Sequence, residues 1–373
     1  MNLKSLMLGA ATAAAAATGA QAADLPVAPE PVDYVRVCDA YGARFFYIPG
    51  TETCLRVGGR VRVQYVANNF ADNGNWSKRE DNGYDFFARG YLYLDSRTNT
   101  EFGLLRTYTE IYGTNQTSKD SEAFSLGKAY VQWGGLTFGH ATSFFDYFTG
   151  QTFIGVVDRN WSDTTVNLAA YTAAFGNGFS ATVSVEDATF RESGDYAGTR
   201  YPDLVANLRV DQAWGNAQVM AALHDVRPKE AAVDGSVGFA IGGGVTIDLP
   251  MLASGSNVAF QATYVDGALA YLGTTDYSDY ADNGNTSTGY SLAAGLYHQA
   301  TDTIGLALDG TYMDLDLAGS EADVTRYAID GSVQWAPISG FALGVDVGYA
   351  NTDVDGSADQ DEILAGFRVQ RTF

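Results

Sequence analysis

Apolar and polar residues alternate along most of the chain after residue 54. In Arg56–Tyr65 the odd positions are apolar or Gly, and the even positions are Arg, Gly or Gln. Because successive side chains of a strand point to opposite faces, this pattern predicts strands with one apolar and one strongly polar face. It recurs often enough to predict sixteen strands, at about 55–68, 85–98, 103–114, 124–133, 136–142, 164–175, 179–187, 204–213, 217–225, 236–247, 256–266, 287–300, 304–314, 323–336, 341–352 and 360–373.

The connections between these strands alternate in length. The first, third and later odd connections are mostly long, whereas most even ones have two to four residues, such as Gly134-Gly135 and Gly176-Asn177-Gly178. Two depart from the rule, because 248–255 is long for its place and 353–359 is short. Long loops alternating with tight turns around an even number of strands are typical of an outer-membrane β-barrel, with the turns on the periplasmic side. The sequence therefore predicts an all-β, sixteen-stranded antiparallel transmembrane barrel.

Composition and charge exclude other classes. The 373 residues include 44 Asp and Glu against 22 Lys and Arg, a net charge of -22, so no basic surface for nucleic acid is expected. Aromatic residues make up 13% of the chain, too many for a disordered protein. Apolar runs long enough for a membrane-spanning helix are absent from the sequence.

Residues 1–22 have the features of a secretory signal peptide. Lys4 gives a positive start, an apolar stretch follows, and Ala20-Gln21-Ala22 is a small-x-small cleavage site. We predict cleavage between Ala22 and Ala23 in preference to an Ala-rich helix of the mature protein. The mature protein is then exported, with an amino-terminal segment at 23–54 and a barrel at 55–373.

Cys38 and Cys54 are the two cysteines of the chain, sixteen positions apart. Export places them in an oxidising compartment, where a disulfide is expected. A redox or zinc site would need closer spacing or further ligands. We predict a structural disulfide that stabilises the protein by roughly 3 kcal/mol.

The amino-terminal residues Cys38–Gly42 and Phe45–Gly59 resemble the signature of the alphaproteobacterial, rhizobial-type general porins. The resemblance extends over the whole mature chain to Phe373. It implies an outer-membrane homotrimer for passive diffusion of small hydrophilic solutes and ions, without a cofactor, and a third outer loop folded into the lumen. It also implies that the terminal Phe373 is recognised by the barrel-assembly machinery.

The third long connection, 143–163, is unusually apolar for a loop in water. It contains Phe144, Phe145, Tyr147, Phe148, Phe153 and Trp161. Such a segment must pack against a surface, and the inner wall of the barrel is available. We interpret it as the constriction loop; the alternative is a surface loop docked on a neighbouring subunit.

Basic residues are concentrated in the early strands. Because a charge facing lipid at the midplane costs about 2–4 kcal/mol, they should face the lumen. We predict a pore constriction in which one basic wall faces acidic residues of the loop; a salt-bridge ladder between neighbouring strands is the alternative. The wall would be Arg60, Arg62, Arg89 and Arg106, and the loop residues would be Asp146, Asp158 and Asp163.

The late outer connections are acidic and contain no Lys or Arg. Divalent ions held by such carboxylates could bridge them to lipopolysaccharide and other anionic lipid headgroups, although solvated loop surface is the simpler interpretation. Asp353, Asp355 and Asp359 form a weak candidate metal site, since the spacing only begins like a calcium loop.

Enzymes need a catalytic group of residues, and the sequence shows no such motif. His140, His224 and His298 are isolated, and neither a GxSxG elbow nor a P-loop occurs. A porin is the predicted function. A substrate-specific channel, for example for sugars, and a closed structural or adhesive barrel are the alternatives.

Overall fold

The computed structural model of the protein describes residues 36–72, 74–117 and 123–373. The predicted signal peptide and its cleavage site lie outside them. A short strand, β1 (Phe46–Tyr47), precedes sixteen long ones: β2 (Cys54–Ala67), β3 (Tyr84–Thr100), β4 (Gly103–Gln116), β5 (Ala123–Trp133), β6 (Leu136–Thr142), β7 (Thr165–Gly176), β8 (Phe179–Glu186), β9 (Asp203–Gln212), β10 (Gly215–Val226), β11 (Ser236–Asp248), β12 (Asn257–Asp266), β13 (Thr288–Gln299), β14 (Ile304–Asp316), β15 (Val324–Ile338), β16 (Phe341–Val354) and β17 (Gln360–Thr372).

Strands β2 to β17 form one closed antiparallel barrel. Each pairs with its neighbours in sequence, and β17 pairs with β2 from Ala365–Ala67 to Thr372–Arg60. Closure leaves no barrel strand with an open edge, as a hydrocarbon environment requires. The predicted sixteen-stranded barrel is confirmed, and every strand begins and ends within two residues of its predicted bounds.

Long and short connections lie at opposite ends of the barrel. The short ones include 101–102, 134–135, 177–178, 213–214 and 339–340. Connection 249–256 lies at the same end but is long, as the sequence indicated. Short 3-10 helices occur at Asp39–Tyr41, Asn75–Ser77, Ala188–Phe190 and Leu269–Leu272. No helix in the described part of the chain is long and apolar enough to cross a membrane.

The outer face of the barrel is apolar and the inner face is polar. Val219, Ile329 and Val347 are exposed on the outside, whereas their neighbours along the strands, Asp330 and Asp346 among them, are buried inside. This is the reverse of a soluble protein, and it follows from the alternation in the sequence because lipid, rather than water, surrounds the outer face.

The amino-terminal segment lies against the lumenal wall, at the end of the short connections. Cys38 and Cys54 form the predicted disulfide, and β1 pairs with Cys54 and the residue after it. Phe45 is buried beside the disulfide, and its ring lies 5.1 Å from the guanidinium carbon of Arg56 and 4.9 Å from that of Arg97. Both arginines are on the inner face, so the segment narrows this end of the lumen.

Candidate pore constriction

The third long connection, residues 143–164, folds into the barrel and lies along one side of its inner wall. We call it the constriction loop. The hydroxyl of Tyr147 lies 2.8 Å from Asn216 Oδ1 and 2.9 Å from Thr246 Oγ1, and the N–H of Phe148 donates to Gln261 at 3.0 Å. The loop therefore occupies the lumen, as predicted, instead of docking on a neighbouring subunit.

Three buried aspartates of the wall hold the far part of the loop by its backbone. Asp309, Asp330 and Asp346 lie on β14, β15 and β16, with side chains at most 1% exposed. Each carboxylate accepts hydrogen bonds from backbone N–H groups of the loop, and hydrogen bonds to a charged acceptor are strong. The bonds run to Asp309 from Gln151 (2.8 Å) and Thr152 (2.8 Å), to Asp346 from Ile154 (2.7 Å) and Gly155 (3.0 Å), and to Asp330 from Val156 (2.6 Å).

Glycines on the same wall give the loop room to approach. A Cβ atom at Gly295 would lie 2.5 Å from the ring of Phe148, and one at Gly348 would lie 2.8 Å from Val157. Contacts this short do not occur between real side chains, so larger residues would push the loop away. The same holds for Gly244 against Tyr147, Gly344 against Phe153 and Gly366 against Val156.

Asp146 lies at the base of the loop, in a buried salt bridge. Its carboxylate is 3.2 Å from Arg191 and also accepts from Ser162 and from the N–H of Thr164. The side chains of Arg191 and Asp146 are 0% and 2% exposed. Asp146 therefore does not face open water, which departs from its predicted place in the constriction. The reason is that Arg191, from the outer connection 187–202, pairs with this carboxylate at the base of the loop.

Two outer connections close over this salt bridge. Tyr196 in 187–202 donates to Asp279 in 267–287 at 2.8 Å, and the N–H of Leu269 donates to Asp279 at 2.6 Å. Asp279 is fully buried, and burial raises its pKa. This residue of the acidic connections is thus structural rather than solvated.

Asp158 and Asp163 remain exposed on the loop. With Arg159 they line a cleft of about 320 Å³ that is bounded by Phe190 and Gly273 of the outer connections. Reduced access to water inside the barrel and the nearby carboxylate of Asp146 raise the pKa of Asp163. These two predicted acidic residues are accessible to solutes.

Arg106 belongs to a salt-bridged group rather than to the open basic wall. Asp95 forms salt bridges with Arg56 (3.3 Å), Arg97 (2.9 Å) and Arg106 (2.9 Å), and its side chain is 1% exposed. Arg106 also donates to Gln132 at 3.1 Å. The salt-bridge ladder that was the alternative interpretation describes Arg106.

Arg60, Arg62 and Arg89 come together around the ring of Tyr91. Their guanidinium carbons lie 4.0, 5.6 and 6.0 Å from its centroid. Among the described residues none of the three forms a salt bridge with a carboxylate. We call these four residues the Arg–Tyr cluster; it is the part of the predicted basic wall that the structure leaves free.

The weak candidate metal site is not assembled. Asp353 lies near the end of β16, and Asp355 and Asp359 lie in the connection that follows. Within residues 36–72, 74–117 and 123–373, no three side chains of the metal-binding types are close enough to hold an ion.

A family model described as "Porin subfamily" matches residues 24–370, almost the whole chain. The chain belongs to this porin family. It is 33% identical over 398 residues to "Porin Omp2b" of Brucella suis biovar 1 (strain 1330), with 100% of both chains covered. It is 40% identical over 252 residues to "Porin Omp2b" of Brucella neotomae, covering 62% of this chain and 68% of the relative. The protein is an alphaproteobacterial-type porin, a channel of the Gram-negative outer membrane, as the resemblance implied.

Solved structures share the fold of this porin. The outer membrane channel DcaP of Acinetobacter baumannii superimposes with a TM-score of 0.72 at 17% identity, covering 88% of this chain and 99% of that one. An anion-selective porin from Comamonas acidovorans gives a TM-score of 0.58 at 13% identity, covering 86% and 100%.

Sequence reasoning missed several lumenal residues of the porin. Asp309, Asp330 and Asp346 each stand among alternating apolar residues of a long strand, so their lumenal position could have been inferred. Arg368 also escaped notice. It donates to Gln64 at 2.7 Å and to the carbonyl of Phe153, and so joins the wall to the constriction loop. That contact has no sequence signal, because it depends on where the loop lies.

Proposed function

We propose that this porin forms a water-filled channel for passive diffusion of small hydrophilic solutes and ions, constricted between the loop and the strands that the loop leaves uncovered. One observation carries the proposal: the loop is fastened to the wall formed by β8–β17, while the free arginines lie on β2 and β3. The residues at the constriction are Arg60, Arg62 and Arg89 on the wall, with Asp158 and Asp163 on the loop.

Opposite charges on two sides of a narrow passage create a transverse electric field. The field is stronger than in bulk water because fewer water molecules screen it. A polar solute keeps its hydrogen bonds and aligns its dipole there, whereas an apolar solute displaces ordered water without compensation. Rings of charge also bias the passage of ions.

Reversal potentials in planar bilayers under a KCl gradient test this assignment. The double variant Arg60→Gln/Arg62→Gln should shift selectivity towards cations, and Asp158→Asn/Asp163→Asn should shift it towards anions. Asp353→Asn/Asp355→Asn, at the outer end of β16 and in the connection that follows, is the matched control and should change neither. Unchanged potentials in both constriction variants at low salt would show that the passage lies elsewhere.

The same recording separates the other functions. Stable ohmic steps are expected from a general porin. Saturation of the current by one neutral sugar would favour a substrate-specific channel. Silence at high protein load would favour a closed structural barrel.

We also propose that the porin assembles as a homotrimer, contacts lipopolysaccharide, and is recognised by the barrel-assembly machinery through Phe373. A related fold, OmpT of Vibrio cholerae, is described in a trimer form, with a TM-score of 0.55. Unheated protein should migrate in SDS gels as an oligomer that dissociates on boiling. Migration as a monomer after mild extraction would contradict the trimer.

A further inference from the structure

We propose that the Arg–Tyr cluster is a saturable binding site for solutes that carry two negative charges, such as dicarboxylates. The inference rests on the proposed function, because the solute must reach the cluster through the open lumen. The inference goes beyond the proposed function, because the transverse electric field only biases which solutes pass, whereas a binding site retains one class of solute.

The geometry of the cluster suits an oxyanion. Arg89 is held by its Nε, which donates to Thr114 Oγ1 at 2.7 Å, and by a 3.4 Å contact with the hydroxyl of Tyr91. Among the described residues the Nε atoms of Arg60 and Arg62 have no hydrogen-bond partner; they are buried, so the terminal guanidinium nitrogens are the donors that a solute can reach. Cation–π attraction to the Tyr91 ring holds the guanidinium groups near one another and leaves their terminal donors for a ligand.

The same wall shows what three such arginines bind. One group, around Asp95, encloses a carboxylate that bonds to all three guanidinium groups. The Arg–Tyr cluster repeats the crowding of positive charge on β2 and β3 but has no carboxylate in salt-bridge contact. A solute carboxylate can supply what Asp95 supplies to the neighbouring group, because guanidinium forks bind carboxylate oxygens in pairs.

Nearby charged groups do not already fill this role. Arg368, on β17, adds a fourth guanidinium but is engaged with Gln64 and with loop carbonyls. Glu110, on β4, accepts from the hydroxyl of Tyr108 at 3.4 Å and forms no salt bridge with the cluster. The local charge therefore remains strongly positive, and a dianion offsets more of it than a monoanion does.

Tyrosine rings extend the site along the wall. The centroid of Tyr91 is 5.2 Å from that of Tyr112 and 6.0 Å from that of Tyr93. An aromatic surface alone would suit sugar rings, but here Arg89 also lies over Tyr112, at 4.7 Å. The interleaving of rings and guanidinium groups favours anions over neutral sugars.

The experiment measures block of KCl conductance in planar bilayers by succinate, inorganic phosphate, acetate and neutral succinamide. Succinate should reduce the current with a saturable dose dependence, acetate should need a far higher concentration, and succinamide should have no saturable effect. If inorganic phosphate blocked the current more strongly than succinate did, the site would be assigned to phosphate esters.

Variants locate the site. Arg60→Gln/Arg62→Gln should weaken succinate block at least tenfold, and Arg60→Lys/Arg62→Lys should weaken it less, because charge is kept while the paired donors are lost. Arg209→Gln is the matched control. Arg209 is also on the inner face, but it is paired with Asp211 at 2.8 Å, so block should be unchanged.

Calorimetric titration of detergent-solubilised protein with succinate gives a second measurement that does not require conduction. If succinate blocked the wild type and the glutamine variant equally, or if succinamide blocked as strongly as succinate, the binding site would be overturned. The conductance itself would still support a porin. Absence of any conductance would instead contradict the proposed function, and the titration would then decide whether succinate binds.

Discussion

The carboxylate of Asp146 and the guanidinium of Arg191 form a salt bridge that no solvent reaches. Asp146 is near the start of the constriction loop, and Arg191 is in the outer connection 187–202. The bridge therefore ties the loop to the outer end of the barrel, while the wall aspartates hold the part that reaches across the lumen. The Asp146–Arg191 salt bridge and the hydrogen bonds to the wall aspartates are both electrostatic, and they support different predictions.

Asp146→Asn should destabilise the protein. Removing one partner of a buried pair leaves the charge of Arg191 uncompensated, at a cost of about 3–5 kcal/mol. The measurement is the temperature at which unheated protein loses its folded band in SDS gels. Asp158→Asn, which removes an exposed charge from the same loop, is the control and should retain the wild-type temperature. Equal heat stability of the two variants would contradict the structural role of Asp146.

Gly295→Val should displace the constriction loop. The added side chain would overlap the ring of Phe148 and the carboxylate of Asp309, and overpacking of this kind costs about 1–3 kcal/mol. Single channels should become noisier and admit larger polyethylene glycols. Gly310→Ala is the control, because a Cβ there meets its nearest atom at 3.7 Å. An unchanged exclusion limit in the valine variant would show that the loop does not set the size of the passage.

Selectivity should depend on pH through Asp163. Because its pKa is raised, this carboxyl is protonated at a higher pH than an ordinary aspartate, which titrates near about 3.9. As pH falls, the loop loses this negative charge at a higher pH than it would with an ordinary aspartate there, and the reversal potential should move towards anions. Asp163→Asn should abolish the early part of the shift, whereas Asp158→Asn should preserve it. A shift that persists in the Asp163 variant would assign the titration to another group.

Replacing Cys38 and Cys54 together with Ser should lower stability by roughly 3 kcal/mol, because the bridge restricts the unfolded chain. The structure adds a second expectation. The tethered segment covers Arg56 and Arg97, so its release should raise conductance by widening the end of the lumen that bears the short connections. A variant with wild-type conductance and reduced heat stability would limit the bridge to stabilising the fold.

The barrel could be predicted almost completely from the sequence because each strand carries its own evidence. A residue such as Val219 faces lipid and the polar residue beside it faces the lumen, so the alternation of period two is imposed by the environment at every position. Turn composition then fixed the ends of strands, as at Gly134-Gly135, and no information from distant parts of the chain was needed.

The charged groups of the lumen could be predicted only in part. The lumenal position of Arg60, Arg62 and Arg89 followed from their parity along the strands. Parity does not distinguish them from Arg106, whose partner Asp95 is on another strand. The fate of Asp146 depended likewise on Arg191, which comes from a different connection. Contacts between distant parts of the chain decide which charges are free and which are paired. A local sequence pattern does not contain those contacts.

The seam between Phe373 and Gly59 has a consequence for biogenesis. The N–H and carbonyl of Gly59 bond to the carbonyl and N–H of the last residue, at 3.1 and 3.0 Å, so the first and last barrel strands meet. Until the end of the chain has been delivered, β2 presents a row of unsatisfied backbone groups, which a bilayer does not tolerate. A barrel without β17 therefore has no stable place in the membrane, because closure of the ring depends on the two barrel strands that are farthest apart in the sequence.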